Sequence, residues 1–168
     1  MATYRVDHNA SALVVRARST LHDTSTTWSR ITGDIEASAD TLESDGASAD
    51  FAVDMTVYDA GDWLKNRKLR KDFQLEQHPR ATFVLGELRD IQRTGDRFSA
   101  TAQGTLSWRG RNVQLSIAGH GLMTDQAIEV TGTFALDIRD LGLQAPKFFI
   151  FKIADEVAVE VTLRAYAR

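Results

Sequence analysis

The chain has 168 residues, 43% of them hydrophobic and 26% charged, with a formal net charge of -3. That size suits one domain, residues 1–168, able to bury roughly two-thirds of its unfolded surface. The balance excludes a disordered chain and argues against general affinity for nucleic acid, and the lack of cysteine excludes disulfides, thiol catalysis and cysteine-ligated metals.

The opening, Met1 to Asn9, has no basic stretch followed by an apolar one, so no secretion signal is expected. As given, the sequence reads as cytoplasmic; a processed mature form would be periplasmic. Leu13, Val15 and Ala17 then alternate with polar residues. Trp28 and the Ile31 to Ile35 region do so less neatly. Ala49, Phe51, Val53, Met55 and Val57 alternate clearly. A period of two places such residues on one face of a strand.

Residues 62–77 break the pattern. Trp63, Leu64, Phe73 and Leu75 are the apolar members of a helix-like, basic insertion. Pro79 forbids its continuation and biases His78 toward an extended backbone. Alternation resumes with Ala81, Phe83 and Leu85. It continues through Phe98 to Trp108, Val113 to Ile117, Ile128 to Ile138 and Val157 to Ala165. The whole amounts to about eight strands, joined by short polar turns such as Arg93-Thr94-Gly95-Asp96 and Arg109-Gly110-Arg111-Asn112. Hairpins between long sequential strands favour an antiparallel meander, and closing it into a barrel removes its exposed edges.

Little in the chain suggests chemistry. The histidines, His8, His22, His78 and His120, are scattered and show no metal-ligand spacing. No nucleophile elbow or phosphate-binding glycine loop exists. No catalytic residue, metal or cofactor is therefore expected. The run Lys65-Asn66-Arg67-Lys68-Leu69-Arg70-Lys71 holds five positive residues in seven. It reads as a solvated helix face, or as a patch meeting anionic headgroups or a negatively charged ligand end. Few aromatics flank it, which disfavours nucleic acid. Pro146 to Ile153 contains the apolar run Phe148 to Phe151 between lysines. It suits a segment buried where the chain crosses a barrel end, or an apolar lip around an opening. Trp28, Trp63 and Trp108 are candidates to line a cavity.

In order and spacing, these features resemble the YceI-like family of lipocalin-like, polyisoprenoid-binding barrels. Tyr4 to Leu13, Y-R-V-D-H-N-A-S-A-L, is similar to that family's opening, and Gly33 to its next glycine. Leu69 to Phe83, L-R-K-D-F-Q-L-E-Q-H-P-R-A-T-F, is the strongest match, through Leu69, Arg70, Asp72, Phe73, Pro79 and Phe83. G-T-L-S-W-R-G-R-N-V matches a hairpin through Gly104, Leu106 and Gly110. I-R-D-L-G-L and D-E-V-A-V-E-V resemble the family's ending. Ala10 and Arg109 stand where the family has histidines.

The resemblance implies an all-β, extended eight-stranded antiparallel barrel around a long apolar tunnel, without catalysis. The expected ligand is an isoprenoid quinone, polyprenyl or fatty-acyl lipid, bound, sequestered or carried. A filled barrel serving as a structural or interaction protein is the alternative. The tunnel walls are expected at Phe51, Met55, Phe83, Phe98, Leu106, Ile117, Phe134 and Leu136, with Phe73 and Phe149 near an opening. A transient membrane-surface contact and a homodimer are compatible with the sequence.

Overall fold

The computed structural model describes the chain apart from residues 20–22, 145–146 and 149–150; side chains are described outside 145–152. The alternating segments form strands β1 (Ala2–Val6), β2 (Ala12–Ser19), β3 (Thr24–Trp28), β4 (Ile31–Ala37), β5 (Ala47–Asp54) and β6 (Tyr58–Asp59). They continue with β7 (Arg80–Thr94), β8 (Arg97–Trp108), β9 (Arg111–Met123), β10 (Ala127–Asp137), β11 (Lys147–Phe148) and β12 (Phe151–Ala167). Helix α1 spans Leu42–Asp45 and α2 spans Trp63–Asp72.

These segments amount to a closed eight-stranded antiparallel barrel. The first three staves are composite: β1 with β2, β3 with β4, and β5 with β6. A 3₁₀ turn at His8–Ala10 interrupts the first. Its two halves pair with the same neighbours, β1 with β12 and β4, and β2 with β12 and β3. From β5 onward each stave pairs with the next through β7, β8, β9, β10 and β12. The β1–β12 pairing, Val6 opposite Ala165, closes the ring. Closure satisfies the backbone groups that an open sheet of this length would leave at its edges.

Alternation sorts the faces. On β8, Phe98, Ala102, Leu106 and Trp108 point inward, while Gln103 and Ser107 point out. There Gln103 Nε2 donates to Ser116 Oγ at 2.9 Å and Ser107 Oγ to Asn112 Oδ1 at 2.7 Å, a polar cross-strand ladder. On β7 the inward positions slip to a spacing of three, Leu85, Leu88, Ile91. Register shifts at Leu85/Glu87 and Arg89/Gln92 account for it, and Asp90 takes a φ of 53°. These bulges bend the strand around the barrel.

Close approach fixes two glycines. A Cβ on Gly104 would sit 2.2 Å from the Phe83 ring, and one on Gly33 2.1 Å from the Asp50 carbonyl oxygen. Gly104 thus lets the Phe83 ring lie flat on the inner wall.

The helical insertion of residues 62–77 takes form as α2 followed by turns. Asp62 caps it, its carboxylate accepting from the Lys65 N–H at 2.9 Å. The Phe73 N–H closes the last turn on the Leu69 carbonyl at 3.0 Å, and Gln74 leaves the helix with a φ of 52°. The barrel has two buried apolar clusters, one at each end. One gathers Leu69, Phe73, Leu75, Trp108, Ile138 and Leu141 beneath α2. The other gathers Tyr4, Ile31, Leu42, Met123 and Ala165 beside α1.

Candidate functional site

Between the two clusters the barrel is hollow. A cavity of about 290 Å³ runs through it, contacted by all of the staves and by residues of both end clusters. It sits near the lower edge of ligand-pocket size, roughly 300–1,000 Å³. Phe51, Phe83, Phe98, Leu106, Ile117 and Phe134 are only half-buried although they face inward, because they keep surface toward this void. The Phe51 and Phe83 rings stack with centroids 6.4 Å apart.

The wall is apolar almost throughout. Among the described lining residues Thr82 is the one that bears a hydroxyl, and none has an ionisable side chain. Trp28 and Trp108 line it too, but their indole N–H groups are engaged. Trp28 donates to the Met55 carbonyl at 3.2 Å and Trp108 to the His78 carbonyl at 2.9 Å. The described lining therefore offers van der Waals contact and water exclusion. Among the described residues no cluster of metal-ligating side chains occurs, and no helix is long and apolar enough to cross a membrane.

The two ends differ. Beside α1, Tyr4, Ile31 and Met123 are essentially inaccessible. The Tyr4 hydroxyl donates to the Thr124 carbonyl at 2.7 Å, and burial, assisted by the Asp125 charge, raises its pKa. Arg93 locks this end. Its guanidinium donates to the carbonyls of Ala39, Met123 and Gly95, the last two at 3.1 and 3.0 Å. Beneath α2 the packing is looser. A second void of about 80 Å³ lies between α2 and strands β2, β3 and β12. It shares Val15, Trp28, Phe73, Ile138 and Val157 with the main cavity and is bordered by Lys65, Thr24 and Thr26.

Arg109 holds the α2 end together. It donates to the Phe73 carbonyl at 2.7 Å, the Leu141 carbonyl at 3.3 Å and Gln74 Oε1 at 3.3 Å. It thus ties the helix C-terminus to the 3₁₀ turn Ile138–Leu141 across the hairpin after β8. Arg93 and Arg109 flank opposite ends of β8, one at each barrel end.

The sequence model of the YceI-like domain matches residues 4–165. The chain belongs to the YceI-like domain family. No curated protein matches it in a sequence comparison. Among solved structures, the barrel is similar to BcnA of Burkholderia cenocepacia at a TM-score of 0.76 and 19% identity, over 95% of this chain and 98% of that one. It is similar to a polyisoprenoid binding domain from Saccharophagus degradans implicated in plant cell wall breakdown, at 0.78 and 16% identity over the full length of both. A Campylobacter jejuni YceI protein follows at 0.70 and 12%, over 85% and 84%. At these identities the likeness establishes the shared fold.

Phe51, Met55, Phe73, Phe83, Phe98, Leu106, Ile117, Phe134 and Leu136 all border the YceI-like barrel's cavity, Phe73 at its α2 end. Phe149 and the Pro146 to Ile153 run fall on or around residues outside those described. Trp63 does not join Trp28 and Trp108 on the wall: it stands 71% exposed on the outer face of α2. Leu42, Leu141 and Leu143 also line the cavity. They come from short turns and helices, where no periodicity marks an inward residue. Val157, Val159, Val161 and Leu163 line it as well, and their alternation in β12 carried that signal. Neither Ala10 nor Arg109, which replace family histidines, is among the lining residues.

Proposed function

We propose that this chain binds, sequesters or carries one long apolar molecule, an isoprenoid-tailed or fatty-acyl lipid, along the barrel axis. The observation that carries this reading is a void of about 290 Å³ with an apolar wall and no ionisable group among its described lining residues. A prenyl or acyl chain brought from water into it gains about 25 cal/mol per Å² of apolar surface buried. Membership of the YceI-like family, with a polyisoprenoid binding domain among its solved relatives, supports lipid binding at the family level. Binding without chemistry fits best, since a reaction inside the barrel would need a group that the described wall lacks. Any polar headgroup belongs at the α2 end, where Thr24, Thr26 and Lys65 border the second void.

Native mass spectrometry and lipid extraction of the purified protein test the reading. The expected result is one bound lipid with a long apolar tail per chain. Ala49→Phe with Ala102→Phe, both on the wall, should fill the void and abolish that mass shift while circular dichroism keeps its β-signature. Protein that carries no lipid and takes up neither added prenyl nor acyl chains would overturn it.

A further inference from the structure

Helix α2 borders the second void with one face, through Lys65 and Leu69, and turns a chemically distinct face to solvent. Leu69 and Phe73 are buried beneath it. Trp63, Arg67 and Lys71 form an i, i+4 row on the other side, with Leu64 beside them. Trp63 is 71% and Leu64 56% exposed, among the most exposed large apolar side chains described. The Arg67 guanidinium lies 5.6 Å from the Trp63 ring centre.

The acidic residues of the segment stay off this face. Asp62 caps the helix and approaches Lys65 at 3.9 Å. Asp72 pairs with Lys68 at 2.9 Å, and Glu76 faces Arg70 at 3.7 Å. Among the described residues, Arg67 and Lys71 have no carboxylate within ion-pair distance. Residues 62–72 thus set five cations against two carboxylates in a chain whose net charge is -3.

We propose that this face docks on an anionic lipid bilayer. Trp63 and Leu64 enter the boundary between headgroups and acyl chains, while Arg67 and Lys71 meet lipid phosphates. Tryptophan and arginine suit that boundary, one end apolar and the other wet. A protein partner fits less well, because a stable protein interface covers about 800 Å² per side with more than a few residues. A membrane contact needs only a few apolar side chains backed by cations. Docking would bring the looser end of the cavity, with its second void, against the lipid store. The proposal rests on the lipid-binding reading for its purpose, but its test does not.

Sedimentation with vesicles decides it. Vesicles mixing phosphatidylglycerol with phosphatidylcholine should bind the intact chain; vesicles of phosphatidylcholine alone should bind it at least tenfold more weakly. Raised salt should release it, by screening of the surface potential. Arg67→Gln with Lys71→Gln should lower the affinity by about tenfold or more, and Trp63→Ser with Leu64→Ser should lower it likewise. All four side chains are exposed, so thermal melting should match the parent and certify the fold. Brominated lipid should quench Trp63 while the buried Trp28 and Trp108 stay bright. Equal binding to both vesicle types, no binding to either, or full binding by both variants would overturn the proposal. Lipid carriage by soluble protein, read by mass spectrometry without vesicles, separates that failure from a failure of the ligand-binding reading.

Discussion

Arg109 occupies a backbone position that does not suit it. Its φ is 57° and that of Gly110 is 72°, the paired positive values of a tight hairpin turn that favours asparagine and glycine. The conformation persists because the guanidinium reaches acceptors on Phe73, Gln74 and Leu141. Arg109→Ala should lower unfolding free energy by about 2 kcal/mol in urea, the range for hydrogen bonds from a charged donor. A loss of a few tenths would mean that the clamp holds nothing. Tyr4 gives a pH signature at the opposite end. Its pKa is raised in the folded state, chiefly by burial, so folding favours the protonated phenol. That contribution is complete below the unfolded value of about 10 and is lost as pH rises through the higher folded value. Melting temperature should therefore fall above about pH 10, more steeply in the parent than in Tyr4→Phe. The substitution itself should cost about 1 kcal/mol at neutral pH through the bond to Thr124. An identical alkaline slope in both proteins would remove Tyr4 from the account. Neither role was readable from sequence. An arginine in a turn and a tyrosine near a terminus carry no mark of the distant carbonyls they meet.

At the scale of elements, alternation carried most of the information, because a strand's period of two survives any barrel closure. The walls of β5, β7, β8, β9 and β10 follow directly from their apolar residues. The pattern weakens where the geometry departs from a plain strand. The 3₁₀ turn at His8–Ala10 splits the first stave, and the bulges of β7 change the inward spacing from two to three. Helix α2 was legible as a basic insertion. Its solvent face was not, since a period of 3.6 does not say which side of a short helix the barrel takes; Trp63 accordingly stands outside while Phe73 goes in. The distinction between plug and wall has an energetic consequence. Leu75 is fully buried in the α2-end cluster, whereas Phe134 faces the void. Truncating a packed side chain forfeits contacts on all sides, while one beside an existing void has already lost part of them. Leu75→Ala should therefore cost about 3 kcal/mol and Phe134→Ala no more than about 2 kcal/mol in lipid-free protein. Urea unfolding of both variants checks the order; the reverse order would mean that the barrel centre collapses around its side chains.

For the whole molecule, a hollow centre is a weakness that the proposed lipid would repair. The end clusters hold the largest fully buried side chains, Tyr4, Ile31 and Met123 at one end and Leu75 at the other. The belt between them leaves Phe51, Phe83, Leu106, Ile117 and Phe134 half-covered. Folding alone therefore leaves apolar surface facing a void, and a chain occupying it completes the core. Because such a ligand would bind the folded barrel and not the unfolded chain, its free energy would add to stability by mass action. At a hundredfold excess over its dissociation constant that is about 2.7 kcal/mol. For a domain of this size the gain corresponds to a rise in melting temperature of roughly 5–10 °C. Delipidation, by organic extraction or a hydrophobic resin, should lower the melting temperature by that amount, and adding back the extracted lipid should restore it. The cavity-filled variant, Ala49→Phe with Ala102→Phe, should show neither change, because its own rings occupy the space. Two outcomes would break the link between hollow core and bound lipid. One is an unchanged melting temperature after complete extraction; the other is a filled variant that responds to lipid as the parent does. The comparison reads occupancy of the centre and is indifferent to which end the ligand enters, so it stands or falls separately from the bilayer contact at α2.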